Sequence, residues 1–155
     1  MRVIIQRVSS ANVKVNDKVV GSINQGFVLL VGFTNNDTID DLSHMVKKIK
    51  FIRLFDDNNG IMNVDINDRG GSLLSISQFT LYADTTKGHR PSYHKAMKYN
   101  EAESLYNQFN SMLIAEGLRV EKGLFGGDMK VSLINDGPIT IILDSKEGNY
   151  ETIKL

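Results

Sequence analysis

Seven consecutive positions, Phe27 to Phe33, carry no polar or charged side chain, and the turn residues Asn24-Gln25-Gly26 precede them. The run is far shorter than a membrane span, so the pattern predicts a strand buried on both faces at the centre of a sheet. Ahead of it, Arg2–Val8 and Asn12–Gly21 alternate β-branched with polar residues around Asn16-Asp17, which predicts an N-terminal hairpin. Helical spacing takes over at Leu42, Met45, Val46 and Ile49, with Asp37 or Thr38 as cap and Lys47, Lys48 and Lys50 near the end, where cations suit the macrodipole. A second helix is predicted from Asn100 to Glu116, with Ala102, Leu105, Tyr106, Phe109, Met112 and Leu113 on one face and Gly117 as its stop.

The remaining apolar stretches read as strands. They are Phe51–Phe55, Ser72–Leu81, Leu118–Glu121, Met129–Ile134 and Ile139–Asp144. Asp56-Asp57-Asn58-Asn59-Gly60 reads as a turn, because it lacks the spaced ligands and closing glutamate of a calcium loop. Gly137-Pro138 interrupts Val131–Leu143 at a point where proline cannot donate to a ladder, which predicts a rigid corner between two strands. From the residues alone its X-Pro bond defaults to trans. Asn135, Asp136 and Thr140 flank the corner with hydrogen-bonding groups able to fix its shape. These elements describe one strand-rich α+β domain over residues 1–155 with two main helices, and a loosely attached tail from about Ser145 to Leu155.

Composition narrows the chemistry. No cysteine is present, which excludes a disulfide framework, Cys-ligated zinc and a thiol nucleophile, and fits a reducing cytoplasm. Lys and Arg number 18 against 18 Asp and Glu, so no global field recruits a polyanion, and broad DNA binding is not expected. The sequence has no run of bilayer length and no signal-peptide h-region, so no membrane association is expected. The three histidines, His44, His89 and His94, stand in no metal motif. His44 falls on the first helix, while the other two flank Arg90-Pro91 in the polar loop that follows Ala83. That loop gathers Lys87, His89, Arg90, His94, Lys95 and Lys98 around Tyr93, and reads equally as a phosphate grip with a stacking ring or as a solvated basic loop. In Ser77-Gln78-Phe79-Thr80-Leu81, strand periodicity puts Ser77, Phe79 and Leu81 on one face and Gln78 and Thr80 on the other. Ser77 and Thr80 are candidate nucleophiles for which nothing in the sequence nominates a base.

Four segments in one order carry a resemblance: Ser77-Gln78-Phe79-Thr80-Leu81, Lys87-Gly88-His89-Arg90-Pro91-Ser92, Gly123-Leu124-Phe125-Gly126-Gly127-Asp128-Met129, and Asn135-Asp136-Gly137-Pro138-Ile139-Thr140. Together with the opening Gln6-Arg7-Val8, they make the chain similar to the D-aminoacyl-tRNA deacylases from its start to about Asp144. The resemblance implies a barrel-like mixed sheet in a homodimer, with active sites at the subunit interface. It implies hydrolysis of the ester between a D-amino acid, or glycine, and the 3' end of tRNA, with L-amino acids excluded sterically. It assigns Ser77, Gln78, Phe79 and Thr80 to the terminal adenosine and scissile ester, and Met129 and Thr140 to further substrate contacts. Gly137 and Pro138, joined by a cis bond, become a tip entering the partner's pocket, and Arg7 supports that corner. No cofactor and no metal are implied. Assistance comes either from the substrate's 2'-hydroxyl or from Thr80 as nucleophile. A noncatalytic RNA-binding or assembly module is the competing reading.

Overall fold

The computed structural model describes residues 1–147. β1 (Arg2–Val15) turns at Asn16-Asp17 into antiparallel β2 (Lys18–Ile23). Both turn residues have positive φ, 49° and 61°, a backbone twist that matches the flanking strands and that Asn and Asp tolerate. β3 (Gly26–Gly32) pairs antiparallel with the first half of β1, from Arg2↔Gly32 to Val8↔Gly26. After α1 (Ile39–Phe51), a small hairpin of β4 (Phe55–Asp56) and β5 (Met62–Val64), and the single turn α2 (Ile66–Arg69), β6 (Ser72–Ser77) returns parallel to β3. α3 (Tyr99–Ala115) leads to β7 (Arg119–Lys122), parallel to β6, and β8 (Lys130–Asp144) runs antiparallel along the other edge of β1. The order β2-β1-β3-β6-β7, with β8 on β1, curls until β2 meets β6 and β7, giving a nearly barrel-shaped mixed sheet. No helix among the described residues is long and apolar enough to cross a membrane.

The central run is buried on both faces, as its composition predicts. Phe27, Leu29 and Val31 pack with Leu42, Met45 and Ile49 of α1 and with Tyr106, Phe109 and Leu113 of α3. Val28, on the opposite face, joins Val8, Val13, Leu74 and Ile76 inside the curl. Thr38, not Asp37, caps α1, and its N–H and hydroxyl both donate to Asp41. Asp37 instead accepts from Thr34 N–H and from the Met1 ammonium at 2.6 Å, with Ser145 Oγ as the ammonium's second partner. Ser145 is therefore buried and Lys146 pairs with Asp41 at 2.9 Å, so the expected loose tail does not begin at 145; its remainder, 148–155, lies outside the described residues.

Three expectations are corrected. Phe51–Phe55 is not a strand, because α1 continues through Phe51 and only Phe55–Asp56 pairs. Ser72–Leu81 ends as a strand at Ser77 and continues as a 3-10 turn, Phe79–Tyr82; the two main helices stand as expected, with the single turn α2 beside them among the described residues. The third correction concerns the Gly-Pro corner, which does not divide two strands. Pairing passes from Gln6↔Thr140 to Val8↔Asn135, so the four residues between Asn135 and Thr140 bulge out opposite the single Arg7.

That bulge is held at its base by side chains that replace missing ladder bonds. The Asn135 amide donates to Arg7 O at 3.0 Å and Ile139 O at 2.9 Å, while its oxygen accepts from Gln6 Nε2 and Thr140 Oγ1. Buried Arg7 donates to Leu54 O at 2.7 Å, and its Nε makes a charge contact of 3.2 Å with Asp136 at the foot of the bulge. Gly137 and Pro138 project beyond this clamp, exposed, with the bond between them cis.

Candidate active site

β3 and β6 run parallel and stop at the same end of the sheet, where side chains leaving both strands can converge on one crevice. A cleft of about 460 Å³ opens there. Its floor is Val31-Gly32-Phe33, one wall is Ser77-Gln78-Phe79, and the rest comes from Tyr93, the start of α3 and the Phe125–Met129 segment. The wall forms because Gln78 N–H makes the last bond to β3, 2.7 Å to Val31 O, after which the chain tightens into the 3-10 turn. Hydrogen bonding within that turn begins at Leu81 N–H, so the N–H groups of Phe79 and Thr80 precede any acceptor in it. Arg2 fixes the far side of the turn by donating to Leu81 O at 2.9 Å.

The turn overrides the period-two assignment of faces. Ser77, Gln78 and Phe79 all line the cleft, whereas Thr80 does not. Thr80 Oγ1 accepts from Gln78 Nε2 at 2.5 Å and so orients the Gln78 amide from behind. Met129 lines the cleft as well. Gly137, Pro138, Thr140 and Arg7 do not, because they belong to the β8 bulge and its base.

Aromatic rings dominate the rim. Phe79 and Tyr93 meet edge to face with centroids 5.0 Å apart, and Tyr99 meets Phe125 likewise at 5.1 Å. Phe79, Tyr93 and Tyr99 are 57%, 40% and 56% exposed, an apolar area that a monomer rarely shows except at a binding site. Tyr99 and Met97 were not singled out in the sequence, where they stand among lysines. Gly126, at φ +71°, lets the loop pass beneath Tyr99, since a Cβ there would lie 2.6 Å from the ring. The glycine pattern of this segment was the available signal.

Among the described residues, no charged side chain and no imidazole lines the cleft, and no His/Asp/Glu cluster suited to a metal ion occurs. His44 lies on α1, with its pKa lowered by burial and by neighbouring Lys48. His89 and His94 lie in the basic loop, where Thr86 and Lys95 hold the Asp84 carboxyl well below the usual carboxylate range. The site can therefore offer backbone N–H donors, hydroxyls, an oriented amide and flat apolar surfaces.

Gly32 packs directly against the backbone of the Gln78 turn. A Cβ there would come 2.9 Å from Gln78 O, closer than real Cβ contacts allow. Gly32→Ala is expected to displace the Gln78 turn and lower kcat by about tenfold or more, since small misplacements of reacting groups are costly. Steady-state kinetics alongside a melting curve checks this, and unchanged kcat in a folded variant would show that the turn's position is immaterial.

A family model described as D-Tyr-tRNA(Tyr) deacylase matches residues 4–144. A D-aminoacyl-tRNA deacylase of Bacillus pumilus (strain SAFR-032) is 50% identical over 147 residues, which cover 95% of this chain and 100% of the relative. Among solved structures, a c-Myc DNA Unwinding Element Binding Protein superposes with a TM-score of 0.87 at 37% identity, covering 93% of this chain and 98% of that one. A probable eukaryotic D-amino acid tRNA deacylase superposes with a TM-score of 0.81 over 92% of this chain and 97% of that one; at 18% identity it speaks to the fold alone.

Proposed function

Because the chain belongs to the D-Tyr-tRNA(Tyr) deacylase family and is a hydrolase of D-aminoacyl-tRNA esters, we propose that the aromatic cleft receives the terminal adenosine and its D-aminoacyl ester. The observation that carries this reading is the junction at Gln78, where a strand end becomes a turn with two N–H groups, those of Phe79 and Thr80, that find no acceptor among the described residues, beside exposed aromatic rings. Adenine stacks on the aromatic rim. Water attacks the ester carbonyl, the N–H groups of Phe79 and Thr80 receive the developing oxyanion, and the C–O bond to the ribose breaks. The ribose oxygen takes a proton as it leaves, yielding free tRNA and the D-amino acid. An aminoacyl ester is already activated, so positioning and the neighbouring 2'-hydroxyl substitute for a side-chain base.

The exposed Gly137-Pro138 tip does not line its own cleft, which supports its insertion into that of a second copy. β8 offers a free edge for such pairing, with Ile134 and Ile142 exposed at 61% and 66%. In the homodimer the tip fills the volume an L side chain would need, so D-aminoacyl and glycyl esters enter and L-aminoacyl esters do not. Met129 and Thr140 supply further contacts, Arg7 braces the corner, and the enzyme works in the cytoplasm on charged tRNA.

Incubation with D-tyrosyl-tRNA tests the reaction, with release of free D-tyrosine as the expected result. Tight binding with the ester intact would favour the noncatalytic RNA-binding module instead. Added chelator is expected to leave the rate unchanged. Thr80→Ala removes one hydrogen bond to Gln78, a contribution of about 0.5–1.5 kcal/mol, so a loss of about tenfold at most is expected. A fall to the uncatalysed rate would make Thr80 the nucleophile.

A further inference from the structure

The balanced charge of the whole chain hides a local excess. Residues 87–98 contain Lys87, Arg90, Lys95 and Lys98 and no acid. Asp84 neutralises Lys95 at 3.0 Å, while Lys87, Arg90 and Lys98 have no carboxylate within ion-pair distance among the described residues. Three cations are thus available on one short stretch of chain.

Their placement is constructed. Asp84 and Ser92 exchange backbone bonds of 2.7 and 2.9 Å, and Thr86 and Lys95 both bind the Asp84 carboxylate, which closes the base of a loop. Lys87, Gly88, His89 and Arg90 form its tip, exposed, with open space around Gly88. From that base the chain runs straight into the cleft, where Tyr93 packs on Phe79, and Ala96 and Met97 line the wall. Lys98 stands between two lining residues, Met97 and Tyr99. Cations and cleft walls therefore belong to one continuous segment.

Resting on the reading that the cleft holds the terminal nucleoside of tRNA, we infer that Lys87, Arg90 and Lys98 grip the backbone phosphates just before that nucleoside. The loop is an arm that tracks the 3' strand, and the cleft reads only its last unit. Each phosphate held on a single strand contributes about −0.7 to the slope of log affinity against log salt, so three contacts give about −2. Tyr93, at the hinge between arm and cleft, couples the two.

The experiment compares two substrates of the wild-type protein, D-tyrosyl-tRNA and the phosphate-free ester 3'-O-D-tyrosyl-adenosine, across a range of salt. kcat/KM for tRNA is expected to fall with a slope near −2, carried by KM, while that for the nucleoside ester stays flat. The triple variant Lys87→Gln, Arg90→Gln, Lys98→Gln is expected to lose about tenfold or more in kcat/KM on tRNA at low salt, flatten the slope, and keep its rate on the nucleoside ester within about twofold. Equal loss on both substrates, or a slope that survives the triple substitution, would overturn the phosphate grip. Hydrolysis of neither substrate by the wild type would instead overturn the reading of the cleft.

Discussion

Offered D-tyrosyl-tRNA and L-tyrosyl-tRNA side by side, the protein is expected to hydrolyse the D ester at least about a hundredfold faster. That ratio corresponds to about 2.7 kcal/mol of difference between the two transition states, which overlap of one side chain with rigid backbone supplies readily. The discrimination requires no side-chain code, since hydrogen-bonding groups at the α-carbon are shared by both hands and only the free volume differs. Glycyl-tRNA, having no side chain to exclude, is expected to be cleaved alongside the D substrate. The measurement is loss of ester-linked label from each tRNA under identical conditions. Equal rates on the two tyrosyl esters would remove the chiral filter, whatever the cleft binds.

Gly137→Ala is expected to produce the largest loss of function for the smallest change in mass. Gly137 has φ +119°, a conformation L residues rarely adopt, and its added Cβ would lie 2.7 Å from Ile139 Cγ1 and 2.8 Å from Ile139 N. The tip must rearrange, at a cost of about 1–3 kcal/mol, while its base stays clamped by Asn135 and Arg7. A drop in Tm of about 3–9 °C is expected from that cost, Ile139 being packed only at the margin of the core. Deacylation of D-tyrosyl-tRNA, by contrast, is expected to fall by about a hundredfold, with the D-to-L ratio falling too. A folded variant with wild-type rate and ratio would show that the tip takes no part in selection.

Much of the framework was legible because it follows from near neighbours. β3 is uniformly apolar since it packs α1 and α3 on one side and the curl on the other. α1 buries the four residues its spacing nominated, α3 buries Ala102, Tyr106, Phe109 and Leu113 and half-buries Leu105 and Met112, and Asn16-Asp17 turns where its tolerance of positive φ suggests. The strand ends were not legible. Phe51–Phe55 has strand composition, yet Lys50 pairs with Glu116 at the end of α3, and α1 runs on to an exposed Phe51. β6 stops at Ser77 because Gln78 spends its N–H on Val31 and its carbonyl lies against Gly32, a contact made with another strand.

The sequence by itself determined the α+β framework, the absence of cysteine chemistry, the Gly-Pro interruption and, through four ordered segments, the family. Hydrophobic period and turn chemistry act over a few residues, so they can be read without knowing the fold. Only the tertiary structure decided that Ser77, Gln78 and Phe79 share one cleft with Tyr93, Tyr99 and Phe125, and that Thr80 stands behind it. It also decided that Gly137-Pro138 is a bulge carried within one strand, clamped by Asn135 and braced by Arg7 across more than a hundred residues of chain. Those pairings depend on strand register and loop closure, which bring together groups distant in sequence, and local pattern does not encode them.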